Sequence, residues 1–192
     1  MKNRIVAISR QFGSGGHTIG LELAKKLDIP FYDQDIIEKI AVETGYAEEY
    51  ISEKGEYLTN GGWLYNITTR SRFESNPQDR IWEVTEKVIR ELAAKGPCVI
   101  VGRCADYILK DDHELLTVYI HADDDKRSER VIRRSGSTKV PIEKRLRDKD
   151  KMRSSFYQFY TDRTWGNANN YTISLDSGAL GIDKCVEIIA SL

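Results

Sequence analysis

The residues best placed to do chemistry lie near the start of the chain. The apolar run Arg4-Ile5-Val6-Ala7-Ile8-Ser9 breaks into Arg10-Gln11-Phe12-Gly13-Ser14-Gly15-Gly16-His17-Thr18. A helical pattern then resumes at Ile19-Gly20 with Leu21, Leu23, Ala24 and Leu27. A strand, a glycine-rich turn and a helix N-terminus in that order bind anions. Backbone N–H groups of the turn and the unpaired donors of the first helical turn converge on one spot, and the helix dipole favours negative charge there. Glycines let the backbone approach a phosphate with no Cβ in the way. Gly13, Ser14, Gly15, Gly16, His17 and Thr18 are therefore the candidate phosphate-binding residues, and nucleotide chemistry is the leading expectation.

The loop departs from the G-x-x-x-x-G-K-[ST] pattern of phosphate-binding loops. No lysine lies between Arg10 and Lys25. Against the form G-x-x-G-x-G-K-G-T, Gly13 and Gly15 fall on glycines and Gly16 on the lysine. His17 then falls on the next glycine, and Thr18 on the hydroxyl that binds Mg²⁺. A second register puts His17 on the lysine and loses the first glycine to Gln11; the first is preferred. In either register the cation must come from elsewhere, and Arg10 at the loop's first position is the candidate.

Three further groups could act on a ligand. Gly102-Arg103-Cys104-Ala105-Asp106 follows an apolar run, and an arginine at a strand's end has the planar fork that suits phosphate. A stretch rich in both signs of charge runs from Asp123 to Arg153. Its ordinary reading is solvated helix faces laced with i,i+4 pairs. Its functional reading is a lid of two helices presenting arginines to a transferring phosphoryl group, a reaction that needs positioning and charge neutralisation. The aromatic cluster Phe156, Tyr157, Phe159, Tyr160 and Trp165 could stack on a base, although packing is its commoner use. His17, His113 and His121 are too scattered to form a metal site.

The elements that must position these groups alternate between strand and helix. Strand patterns fall at Ile5–Ser9, Cys98–Gly102, Leu115–Ile120 and Tyr171–Leu175, with a short strand or turn at Pro30–Asp33. Helical patterns fall at His17–Leu27, Asp35–Thr44, from Pro77 to Gly96, Asp123–Arg134, from Pro141 toward Arg153, and Ile182–Leu192. Asn76 is a good N-cap with Pro77 after it, and Gly96-Pro97 stops that helix. This alternation predicts an α/β fold with a parallel sheet, its ligands at the carboxyl ends of the strands. Those ends carry Arg10–Thr18, Asp33–Asp35, Gly102–Asp106 and His121–Asp125. Residues 46–76 are the least periodic part.

Composition narrows the class. The chain has 192 residues and a net charge of −1, enough for one domain and against a general nucleic-acid binder. Its three cysteines, without C-x-x-C spacing, fit neither a disulfide framework nor a zinc site and point to a reducing cytoplasm. No segment approaches the ~20 apolar residues of a membrane span.

Taken together these pieces resemble the cytidylate kinase-like branch of P-loop nucleoside monophosphate kinases. The resemblance rests on Ile8–Gly16 with Ile19-Gly20, on Phe31-Tyr32-Asp33, on Val99-Ile100-Val101-Gly102-Arg103, and on a tail. In the tail Asp150-x-x-Arg153 precedes Tyr157, Tyr160-Thr161, Trp165-Gly166, Asn170-Tyr171 and Leu175-Asp176-Ser177. It implies a three-layer α/β/α P-loop NTPase fold with a central parallel sheet. One kinase domain would span 1–192, with a core of about 1–35, 77–125 and 170–192, an acceptor-binding region of about 36–76 and a helical lid of about 126–155. The resemblance also implies MgATP-dependent phosphoryl transfer to a small acceptor such as CMP or dCMP, by a monomer or homodimer. Arg103, Asp150 and Arg153 fall on monophosphate-contacting positions, and Arg145 or Arg147 on a lid arginine.

The chain differs from true cytidylate kinases in the missing lysine, in Cys104 where they have an aspartate, and in Glu38-Lys39 where they have Tyr-Arg. The expected site therefore comprises Arg10, Arg103, Arg147, Asp150 and Arg153 for catalysis, with residues 13–18 for ATP and Thr18 for Mg²⁺. Asp33, Asp35, Arg103, Asp106, Asp150 and Arg153 are expected to hold the acceptor. Two other readings stay open: a nucleotide-binding regulatory module, motivated by the missing lysine, and a kinase of a non-nucleotide small molecule, motivated by the altered acceptor positions.

Overall fold

The structure is a computed structural model, and it describes residues 4–33, 42–43, 77–111, 114–136 and 138–192. The helix expected at Asp35–Thr44 apart from residues 42 and 43, most of the acceptor region expected at 36–76, the cap Asn76 and His113 lie outside the described residues.

Strand β1 (Ile5–Arg10) is central. It pairs in parallel with β3 (Cys98–Val101) on one side and with β4 (Leu115–His121) on the other. The short β2 (Phe31–Tyr32) extends the sheet beyond β3, and β5 (Ile173–Asp176) extends it beyond β4, for an order β2-β3-β1-β4-β5. All the pairings are parallel.

Side chains alternate across a strand, and here both faces are apolar. Ile5 and Ala7 point to one side with Cys98 and Ile100. There α2 (Pro77–Ala93) covers them with Val88, Ile89 and Leu92, joined by Ile108 of the short α3 (Ala105–Ile108). Val6 and Ile8 point to the other side with Val99 and Val101, under Ile19 and Leu23 of α1 (Gly16–Leu27). The continuous apolar runs read from the sequence thus bury both faces of a three-layer sandwich.

At the carboxyl edge of β4 the chain enters α4 (Asp124–Ser135), and after a loop returns as α5 (Ile142–Thr161). This helix continues well past Arg153. Its apolar stripe of Leu146, Met152, Phe156 and Tyr157 stays buried, so Phe156, Tyr157, Phe159 and Tyr160 of the aromatic cluster are part of the helix, with Trp165 beyond its end. A short α6 (Ser177–Leu180) follows β5, and α7 (Ile182–Ser191) packs Cys185, Val186 and Ile189 on the α1 side. No described helix is long and apolar enough to cross a membrane.

Candidate active site

The loop from Arg10 to α1 folds on itself first. Ser14, fully buried, donates its N–H and its hydroxyl to the Gln11 carbonyl at 3.3 and 2.9 Å. Gly15 caps α1 in the left-handed region at φ 83°. Among the described residues, the backbone N–H groups of Gly13, Gly15, Gly16, His17 and Thr18 have no protein acceptor. Unpaired donors at the head of a helix are what an anion-binding concavity requires. Residues 13–18 make up this loop and the first turn of α1. Thr18 is exposed on the third residue of α1. His17 turns aside, its Nε2 3.4 Å from Asp33 Oδ2 and its ring edge-on to Phe31.

At Gly16, where the usual motif has lysine, a Cβ would stand 2.5 Å from the Arg10 Cβ. The Arg10 side chain fills the space a side chain at position 16 would need. Its guanidinium reaches the carboxyl end of β3, where it lies so close over Gly102 that a Cβ there would overlap it.

That end of β3 turns sharply. Gly102, Arg103 and Cys104 have φ of 83°, 54° and 56°, three left-handed residues in a row. For a non-glycine residue this conformation costs roughly 1–2 kcal/mol. The turn brings Arg103 beside Arg10. Arg153 of α5 joins them, donating from Nη1 to the Arg10 carbonyl at 3.1 Å and lying 5.7 Å from the Phe12 ring centroid. Arg10, Arg103 and Arg153 line one pocket, and Phe156, Tyr157 and Trp165 line it with them. Trp165 is anchored by its indole N–H on Ser9 Oγ at 3.0 Å. Farther along α5, Tyr160 stacks on Trp82 with 4.3 Å between centroids. The aromatic cluster therefore both packs α5 and walls the pocket.

Asp106 takes a supporting place. It is buried, does not line the pocket, and accepts the Tyr157 hydroxyl at 2.6 Å. Burial raises its carboxyl to about 6, against the Tyr157 hydrogen bond, which lowers it. Cys104 lines the pocket, and burial pushes its thiol well above the ordinary value.

The charged segment beyond β4 holds residues that sequence reasoning did not single out. Arg127 of α4 is only 3% exposed. It donates from Nε to the Phe12 carbonyl at 2.8 Å, from Nη1 to Asp124 at 3.1 Å, and from Nη2 to Asp150. Asp150 accepts the Phe12 N–H on its other oxygen at 2.7 Å. Burial raises the Asp150 carboxyl, opposed by the Phe12 N–H and by Arg127. Arg130 donates from Nη1 to the Ser14 carbonyl at 3.1 Å and from Nη2 to the Ser177 carbonyl at 2.7 Å. The signal for these two arginines was their i,i+3 spacing with Val131 on one face of a charged helix. Arg147 is exposed on α5. Asp35 lies outside the described residues.

The model of the cytidylate kinase-like family matches residues 5–179. The chain belongs to the cytidylate kinase-like family. Among solved structures, an uncharacterized protein from Eubacterium ventriosum is 27% identical, with TM-score 0.74 over 98% of this chain and 96% of that one. A shikimate kinase from Acinetobacter baumannii in complex with shikimate is 18% identical, with TM-score 0.56 over 97% of this chain and 90% of that one. A deoxyadenosine kinase from M. mycoides with dCMP and dCDP bound is 15% identical, with TM-score 0.52 over 97% of each chain. No curated protein matches the chain in sequence. The fold of this family member is that of P-loop NTPases, and its family and fold together support a P-loop kinase phosphotransferase.

Proposed function

We propose that this member of the cytidylate kinase-like family transfers the γ-phosphoryl group of MgATP to a nucleoside monophosphate, CMP or dCMP foremost. The observation that carries the reading is one pocket, walled by three arginines and three aromatic rings, that opens beside the phosphate-binding loop and shares Arg10 with it. An ionised phosphate oxygen is already a nucleophile, so the acceptor needs charge neutralisation and alignment. Arg103 and Arg153 bind the acceptor phosphate, and the aromatic wall stacks on the flat face of the base. Arg10 lies between the two sites, where the group in flight carries its charge. Arg147 meets phosphates from the lid.

The nucleotide's phosphates sit on the N–H groups of residues 13–18. Mg²⁺ bound with a nucleotide keeps most of its ligands as phosphate oxygens and water, and one exposed hydroxyl such as Thr18 fits that demand. The metal would supply charge neutralisation on the phosphates.

The test is a transfer assay with purified protein, MgATP and a panel of CMP, dCMP, UMP, AMP and GMP, with shikimate as a non-nucleotide acceptor. The expected product is a pyrimidine nucleoside diphosphate. Phosphorylated shikimate would replace the acceptor assignment, and ATP binding without any product would favour a regulatory module. With the acceptor in hand, Arg103→Ala should lower kcat/KM for it by about 10²-fold or more through lost charge stabilisation. An unchanged value would remove Arg103 from the site.

A further inference from the structure

We infer that Arg127 and Arg130 are positioning residues that build the phosphate-binding concavity by holding loop carbonyls away from it. The inference rests on the nucleotide reading above and adds what orients the donors. A trans peptide is planar, so the C=O of one residue and the N–H of the next point in opposite directions. Arg127 holds the Phe12 carbonyl, and Arg130 holds the Ser14 carbonyl together with the Ser177 hydroxyl, which Arg130 also contacts. The next N–H groups, those of Gly13 and Gly15, are thereby turned the other way, and neither has a protein acceptor among the described residues.

The same logic explains Asp150. It takes the Phe12 N–H, which turns the Gln11 carbonyl inward onto Ser14. Arg127 and Asp150 are themselves paired, so one residue of the loop has its N–H and its C=O gripped by two side chains that also grip each other. One of the two comes from α4 and the other from α5. Both lid helices thus set the loop's peptide planes.

Geometry around Gly13 supports close docking of α4. A Cβ there would lie 2.8 Å from the Arg127 carbonyl and 2.9 Å from Val131 Cγ2. Arg127 is nearly fully buried and spends Nε, Nη1 and Nη2 on protein acceptors. It acts on a ligand through the loop.

Positioning and direct contact predict different binding patterns. The test titrates ATP, ADP and inorganic pyrophosphate by calorimetry into the wild type, Arg127→Lys and Arg130→Met. Lysine keeps a charge for Asp150 but cannot serve Asp150 and the Phe12 carbonyl with a fork. The expected result is a loss of about tenfold or more, equal for the three ligands, because each uses the same loop donors. Unchanged affinities would overturn the inference. A loss confined to ATP would overturn it too, because it would mean a direct contact with the terminal phosphate. A second measurement needs no variant: pyrophosphate should shift the Gly13 and Gly15 amide resonances of the wild type. Binding that leaves both unmoved would refute the inference while keeping the nucleotide reading. A wild type that binds none of the three ligands would remove both.

Discussion

Position 16 carries the residue-scale question of how a phosphate-binding loop works without its lysine. The Arg10 stem occupies the space a side chain at Gly16 would enter. Restoring the motif with Gly16→Lys should therefore lower activity by about tenfold or more, since overpacking displaces Arg10. Gly16→Lys combined with Arg10→Ala should recover much of the loss. Steady-state rates of the single and double variants check this, and a fully active single variant would refute the steric argument. Asp106 bears on stability. Its folded pKa of about 6 exceeds its ordinary 3.8, so between those values the folded chain keeps a proton that the unfolded chain releases. Stability from this group is full below about pH 4 and falls as pH rises through 6, by a total on the order of 3 kcal/mol. Asp106→Asn keeps an acceptor for Tyr157 and removes the titration. Melting curves from pH 4 to 7.5 should show the wild type losing ground to the variant, and parallel curves would contradict this.

At the scale of elements, the contact between α4 and the loop decides the site. Gly13 sits at φ 79° against the α4 backbone. Gly13→Ala adds a strained conformation and a steric overlap, so the variant should be less stable by about 2 kcal/mol or more. Urea unfolding measures this, and an unchanged midpoint would show that α4 is free to draw back. The turn after β3 is the second deciding element. Three left-handed residues place Arg103 in the pocket, and no glycine signal marks Arg103 or Cys104 in the sequence. The turn's existence was legible from Gly102; its hand was not, because an arginine and a cysteine normally avoid that region. The eight residues of α5 beyond Arg153 were equally hidden. Their aromatic side chains fit a loop or a helix locally, and only packing on Trp82 and around the pocket makes the helix.

On the scale of the whole molecule, the carboxyl edge of the sheet gathers the loop, the Arg103 turn and both helices of the charged segment. A ligand bound there would touch elements from residue 9 to residue 165 and so would stabilise the fold as a unit. MgATP at about a hundred times its dissociation constant should add about 2.7 kcal/mol to the unfolding free energy. Differential scanning fluorimetry reads this as a rise in melting temperature of several degrees, and no rise at saturating MgATP would count against the nucleotide site.

The alternation of strand and helix, the buried parallel sheet and the glycine-rich loop were all legible along the chain, because each is written in local periodicity and in the special backbone needs of glycine. The sequence also pointed to Arg10 and Arg103 by their positions at strand ends, and to Arg153 through the resemblance carried by Asp150-x-x-Arg153. What Arg127, Arg130 and Asp150 hold was set by the fold. The loop groups they grip are backbone groups more than 110 residues away along the chain. A carbonyl has no side-chain identity, so a charge that binds one leaves no pairing signal in the sequence. The same holds for Asp106, whose burial behind Tyr157 depends on a helix that begins beyond the next strand.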